Sequence, residues 1–229
     1  MTSVPPASAM PEAPNIRFGT AAGRWVMAVT ILGSGMAFLE ATVVNVALPD
    51  IGKDLGADVS GLQWVLNGYL LTLAALILLG GSLGDHFGRR RIFELGVVWF
   101  TLASLLCAVA PNIQTLVAAR VIQGIGGALL TPGSLAIIEA TFHRDDRARA
   151  IGAWSALGGV AAAIGPLVGG YLIGAVSWRA IFVINLPIGA FVVYQSRRIP
   201  ETRDPRSRAR WTSAAPPWPR WPSAASPSA

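Results

Sequence analysis

Residues Leu62–Leu83 read LQWVLNGYLLTLAALILLGGSL, a run without one charged side chain. A helix that crosses a bilayer needs about 20 mostly apolar residues, and runs this long exceed ordinary buried strands or helices. Five comparable stretches surround it: Trp25–Leu48 before, and Ile92–Ala110, Ile113–Ile138, Ile151–Val176 and Trp178–Tyr194 after. The expected fold is therefore an all-α membrane protein of six transmembrane helices. The connections are short and carry turn signals: Pro49-Asp50, Gly88 with three arginines, Pro111-Asn112, Asp145-Asp146 and Ser177. They leave no room for a soluble domain.

Composition agrees. Of 229 residues, 53% are hydrophobic and 13% charged, and the mean hydropathy is +0.53. A soluble domain carries roughly a quarter charged residues, and disorder needs low hydrophobicity with high charge. Both classes are excluded for the bulk of the chain. A lone cysteine, Cys107, allows no intrachain disulfide and no multi-cysteine metal site. No catalytic triad, metal cluster or phosphate loop is present, so no enzyme, metal or cofactor is expected.

The six-span region covers 24–200. Residues 1–23 are rich in proline, alanine and serine and read as a disordered cytoplasmic tail, without the short apolar core of a signal peptide. Residues 201–229 read as a second, polar cytoplasmic tail rich in Arg, Pro, Trp and Ser, with no apolar run approaching a seventh span. Its abrupt composition after Pro205 fits either a natural tail or a frame change near that point.

Charge placement sets the orientation. With the amino terminus inside, cytoplasmic pieces hold 15 of the 18 basic residues. Lys53 and Arg179 fall outside, and Arg120 lies within a span. The positive-inside rule favours this topology, both termini being cytoplasmic. The same scatter over loops argues against a nucleic-acid partner, which needs a gathered basic face. Trp25, Trp64, Trp154 and Trp178 fall near span ends, as an aromatic belt requires; Trp99 lies well inside the third span.

Glu40 and Arg120 are charged residues inside spans, costing at least about 2.5–3.5 kcal/mol each if left in lipid. At about 1.5 Å per residue, Glu40 sits roughly 12 Å from Leu48 and Arg120 roughly 10 Å from Ile113. They can meet if spans one and four are neighbours. Two readings follow: a structural ion pair, or a protonatable acid in a water-filled path tuned by the arginine. Gln123, Gly124 and Gly127 share the face of Arg120, which suggests a cavity lining or a close helix contact. In span five, Gly158, Ala162, Gly165, Pro166, Gly169 and Gly170 permit close approach of another helix, and Gly165-Pro166 should kink the span. Plain packing and a conformational role both fit. In the loop Gly81–Arg91, Asp85 sits beside three arginines, and Glu139 at the cytoplasmic end of span four offers a second acidic partner.

These segments carry a resemblance. Gly81–Arg91 resembles the signature loop of the major facilitator superfamily, G-x-L-x-D-x-x-G-R-R. Leu116–Gly124 resembles its fourth-helix motif, l-x-x-x-R-x-x-q-G, and Gly165–Gly170 its antiporter motif, G-P-x-x-G-G. Leu39–Pro49 looks like the first-helix motif l-D-x-T-v-v-N-v-A-L-P of the fourteen-helix drug:proton antiporters. Trp178–Pro187 looks like the sixth helix of that branch. The match covers roughly residues 24 to 203. Glu40 replaces the usual aspartate, and His86 a frequent arginine.

The resemblance implies one major-facilitator bundle of two inverted three-helix repeats, the amino-terminal half of a proton-coupled drug exporter in the cell membrane. Glu40 and Arg120 would couple protons, with Thr42, Asn45, Gln123 and Gly124 lining the cavity. Gly81, Asp85, Gly88, Arg89, Arg90 and Glu139 would form the cytoplasmic gate, and Gly165, Pro166, Gly169 and Gly170 the antiporter bend. Partners would be protons, a small drug-like molecule and the bilayer, with the proton gradient as energy source and no cofactor. Six spans are half of the family's twelve or fourteen. A lone bundle would leave the side bearing Glu40 and Arg120 against lipid and need a second half-transporter or a second copy to work. The alternatives are an inactive half or membrane subunit, and a metabolite or sugar porter of the same superfamily.

Overall fold

The computed structural model describes residues 16–199 and 201, which form seven helices. They are α1 (Ala21–Leu55), α2 (Val59–Phe87), α3 (Arg89–Ala108), α4 (Ile113–Thr141), α5 (Arg144–Ala175), α6 (Ala180–Val183) and α7 (Asn185–Ser196). The first five are long and apolar enough to cross a membrane. The all-helical reading holds, and the chain is a multi-pass membrane protein.

The sixth expected span is divided. α6 and α7 together cover Ala180–Ser196, and the break falls at Ile184. Pro187 supplies the reason: it has no N–H to give to the carbonyl four residues earlier, that of Val183.

Turn chemistry places the other ends. Thr20, Asp58 and Asn112 each cap the helix that follows, their side chains accepting from the N–H of Gly23, Gly61 and Thr115. The expected turn at Pro49-Asp50 is absent. α1 passes through Pro49 and stops at Gly56, whose φ of 59° takes the left-handed conformation open to glycine. Asp145 and Asp146 likewise belong to the first turn of α5, where the helix dipole favours negative charge. A single residue, Gly88 at φ 116°, separates α2 from α3.

Ile16–Thr20, part of the stretch read as a tail, runs against the α4–α5 turn. Ile16 N–H donates to the Thr141 carbonyl, His143 N–H donates to the Ile16 carbonyl, and Arg17 pairs with Asp145 and Asp146. Ala21–Gly23 of that stretch already belong to α1, and of the second expected tail Glu201 is described; residues 1–15 and 202–229, with the composition change after Pro205, lie outside the described residues.

The helices interleave. α1 packs along α5, and α4 packs along α2 and α3, with α7 filling between α1 and α3. Exchanging first with fourth and second with fifth turns the α1–α5 pair into the α4–α2 pair, as two three-helix repeats require. Missing side chains make these crossings close. A Cβ on Gly124 would come 2.7 Å from the Tyr69 carbonyl, one on Gly126 would come 2.6 Å from the Phe100 nitrogen, and one on Gly165 would collide with Thr42 Oγ1.

Apolar side chains form two separate clusters. One gathers Met36, Phe93, Phe100, Leu130, Ile137 and Val192. The other gathers Val44, Ile51, Val65, Leu116, Trp178 and Phe182. Between them lies a layer of buried polar side chains.

Candidate functional site

Glu40 of α1 and Arg120 of α4 meet in that layer. Arg120 Nη1 donates to Glu40 Oε1 at 3.1 Å, and the two side chains are 1% and 0% exposed. The two residues meet as the sequence allowed, spans one and four being neighbours at this height, although Leu48, from which the depth of Glu40 was counted, is not the end of α1. Two further corrections follow. The pair is sealed among helices rather than set in a water-filled path. Nor does a lone bundle leave it against lipid, because α2, α3 and α7 close over it.

Both carboxylate oxygens of Glu40, and Nε and Nη1 of Arg120, are engaged. Arg120 Nε donates to the Val65 carbonyl of α2 at 3.1 Å, and Nη1 also donates to Gln123 Oε1 at 2.6 Å. The Tyr69 ring lies 4.2 Å below the guanidinium carbon, a cation–π contact strengthened by desolvation. Asn185 of α7 donates Nδ2 to Glu40 Oε2 at 2.7 Å, and to Ser104 Oγ of α3 at 3.2 Å. Gln123 Nε2 donates to the same hydroxyl at 2.7 Å. The Cys107 thiol completes the layer, 3.6 Å from Gln123 Oε1.

The two charges depend on each other. An ionised Glu40 balances Arg120 inside a medium where a lone charge is costly. Protonation of the carboxylate removes that balance and leaves a buried cation with neutral partners. The layer can then keep its packing only at a cost, or admit water.

Of the residues expected to line a cavity, Gln123 lies within this layer, and Gly124 is pressed on α2. Thr42 is half-buried where α5 crosses, its hydroxyl donating to the Leu39 carbonyl. Asn45 alone is exposed, donating Nδ2 to the Ala41 carbonyl. Gly165 and Gly169 are buried against Thr42 and Val43 of α1, while Pro166 and Gly170 are exposed. The four therefore do not act alike: Gly165 and Gly169 set the helix spacing, while a Cβ on Gly170 meets nothing within 4 Å. α5 remains helical through Gly165-Pro166.

At the turn after α2, Arg89 grips Asp85 with Nη2 at 2.8 Å and Nε at 2.9 Å, and donates Nη1 to the Ala136 carbonyl of α4 at 3.1 Å. A Cβ on Gly81 would make only ordinary contact with Pro132, at 3.7 Å. Glu139 is exposed and has no ion-pair partner among the described residues. The acid that joins this turn is Glu201 instead. It accepts from the Arg90 backbone N–H at 3.2 Å and lies within ion-pair reach of Arg90 and Arg91. A Cβ on Gly88 would approach Glu201 Oε1 to 2.6 Å, but that carboxylate is the movable end of a flexible side chain, so it is the φ of 116° that calls for glycine here.

Sequence reasoning missed Asn185, Ser104 and Glu201. It also missed a clasp at the opposite end, where Asp54 accepts from Arg179 Nη1 at 2.5 Å and from Trp178 Nε1 at 3.0 Å. Asn185 had a signal, since it sits in the sixth-helix motif beside Leu186-Pro187. Trp99, the exception to the aromatic belt, donates Nε1 to the Ile122 carbonyl of α4 at 2.9 Å.

Comparisons with known proteins bear on this site. The model of the Major Facilitator Superfamily matches residues 30–228. A methylenomycin A resistance protein of Bacillus subtilis is 48% identical over 176 residues, 76% of this chain and 38% of that protein. A probable actinorhodin transporter of Streptomyces coelicolor is 43% identical over 202 residues, 83% of this chain and 35% of that one. The multidrug resistance protein Stp of Mycobacterium tuberculosis is 45% identical, covering 72% of this chain and 31% of its own. The chain thus spans under two fifths of the length of these relatives. Among solved structures, a peptide transporter in complex with sulfate superposes with a TM-score of 0.69 at 16% identity, over 81% of this chain and 40% of that one. The inward-open xylose transporter XylE of E. coli gives 0.65 at 18% identity, over 77% and 48%.

Proposed function

This chain belongs to the Major Facilitator Superfamily, and on that premise we propose that it forms the proton-coupled bundle of a drug exporter in the cell membrane, of the drug:proton antiporter branch. The observation that carries the reading is the carboxylate of Glu40, buried between Arg120 and Asn185 in a polar layer that ties the first repeat to the second. The names of the relatives, which speak of antibiotic and multidrug resistance, support a drug-like substrate.

The mechanism is alternating access, two bundles rocking around a site near the midplane. With Glu40 ionised, the layer stays closed around Arg120. A proton from outside neutralises Glu40, the unbalanced Arg120 draws water, and the helices α1 and α4 part. Release of that proton to the cytoplasm closes the layer again, so proton entry accompanies drug exit. The Asp85–Arg89 grip belongs to the cytoplasmic gate, both termini being cytoplasmic. The energy source is the proton gradient, and no cofactor takes part. The second bundle docks on α2 and α5, whose most apolar windows are only 17% buried, against 56% for α1 and α4.

The test uses vesicles carrying this bundle joined to the carboxy-terminal bundle of a matched relative. A cationic dye should move against its gradient only when a pH difference is imposed. Dye movement indifferent to the pH difference would refute the proton coupling.

A further inference from the structure

A groove of about 320 Å³ runs between α3 and α7, apart from every residue of the polar layer and the turn. Val98, Thr101 and Leu102 form one wall, and Leu186, Ala190 and Tyr194 the other. Gly189 forms the floor, where its missing side chain lets α7 touch Thr101. Neither α2 nor α5, the helices left for a second bundle, contributes to it.

The groove has a length and a polarity. From Leu186 to Arg197 its wall climbs about 16 Å at 1.5 Å per residue, about half of a hydrocarbon core of ~30 Å. That is the depth of one leaflet. The walls are apolar but for Thr101, whose hydroxyl donates to the Val97 carbonyl, and for the end beside Arg197, which is exposed. This end is level with the start of α3, because Ser196 donates to Glu94 there. Arg90 and Arg91 at that start are drawn to Glu201. The Arg197 guanidinium has no ion-pair or hydrogen-bond partner among the described residues. Tyr194 stands one step below it, where an aromatic ring with a polar tip suits the interface.

We propose that this groove holds an acyl chain of an anionic phospholipid from the leaflet on the Arg89–Arg91 side, with the headgroup phosphate against Arg197. A guanidinium fork matches a phosphate, and basic side chains beside a span attract anionic lipid. An apolar trough one leaflet deep and closed by a cation is complementary to such a lipid along its whole length. The proposal rests on the chain spanning a membrane and is independent of transport.

The experiment takes the full chain, purified in neutral detergent, and offers it equal amounts of dioleoylphosphatidylglycerol and dioleoylphosphatidylcholine. Native mass spectrometry then reads the lipid retained. The intact chain should prefer phosphatidylglycerol, and Arg197→Gln should cut the preference about fivefold, the change expected from about 1 kcal/mol per basic residue at an anionic surface. Ala190→Trp, at an exposed wall position, should expel both lipids; if it fails to fold, Arg197→Gln decides. Equal retention by the intact chain, or a preference that survives Arg197→Gln, overturns the proposal. So does displacement of the lipid by millimolar inorganic phosphate, or a lipid-free dimer in which Ala190→Trp restores the monomer.

Discussion

Asn185 reaches across 145 positions of sequence to donate to the carboxylate of Glu40 at 2.7 Å, from the opposite side to Arg120. The carboxylate is thus held by two groups of different kind, one charged and one neutral. Only the charged one needs Glu40 to be ionised. Asn185 can stay bonded through a protonation cycle, which keeps the side chain oriented while its charge changes.

Asn185→Leu should therefore loosen the layer without emptying it. The loss leaves Glu40 Oε2 and the Ser104 hydroxyl short of a donor, a cost of about 1–3 kcal/mol for buried groups. Chemical denaturation in detergent should show this drop, and Asn185→Gln should not restore it, because the longer amide overreaches. A variant as stable as the parent would deny the contact any weight.

Glu40→Gln keeps the size of the side chain and removes its charge. Proton-driven export should be abolished, and Glu40→Asp should retain part of it. Removing one partner of a buried pair costs about 3–5 kcal/mol, so folding is affected too. The double variant Glu40→Gln with Arg120→Gln should recover much of that loss, since no lone charge remains. A double-mutant cycle measures this coupling; additive losses would contradict the pairing.

Cys107 offers a built-in reporter. It is fully buried beside Gln123, and no second cysteine competes with it. Maleimide labelling should be slow in the parent and faster in Glu40→Gln, as the unbalanced arginine draws water into the layer. Equal rates would mean that the layer stays shut whatever the charge of Glu40.

Asp85→Asn should change accessibility more than stability. The Asp85 side chain is 41% exposed, and an exposed pair contributes about 0.2–1 kcal/mol. Cysteine probes placed at the Arg89–Arg91 end should nonetheless label at altered rates, because Arg89 would lose its grip on α2 while keeping α4. Unchanged labelling would remove Asp85 from the gate.

Gly165→Val and Gly170→Val separate packing from motif. Overpacking costs about 1–3 kcal/mol, and Gly165 abuts Thr42 where Gly170 abuts nothing. The first should be destabilised and the second nearly neutral in thermal unfolding. Equal losses would mean that the α1–α5 crossing does not set the difference.

The helical spans and the Glu40–Arg120 meeting were legible because both are one-dimensional signals: apolar run length, and charge at a countable depth. The end of α1 was not. Pro49 looks like a stop, yet a proline in a helix costs one hydrogen bond locally, and the packing of Ile51 in the cluster with Val65 and Trp178 keeps the helix going. Asn185 and Ser104 escaped because small polar residues in an apolar run carry no sign of their partners. Glu201 escaped because its partner Arg90 is 111 positions away, and nearby Glu139 offered a simpler choice. That the pair is sealed is a property of how α2, α3 and α7 lean together, which no periodicity encodes.

The Glu40 network also sets a clock on the chain's birth. Glu40 precedes Arg120 by 80 positions and Asn185 by 145. At about 5–20 residues per second of synthesis, the carboxylate waits roughly 4–16 s for its arginine and about 7–29 s for its amide. Through that interval the first helix carries an acid with nothing to meet it. The growing chain must therefore keep α1 near water or in the insertion machinery until α4 emerges, and can lock this layer only when α7, which carries Asn185, has left the ribosome.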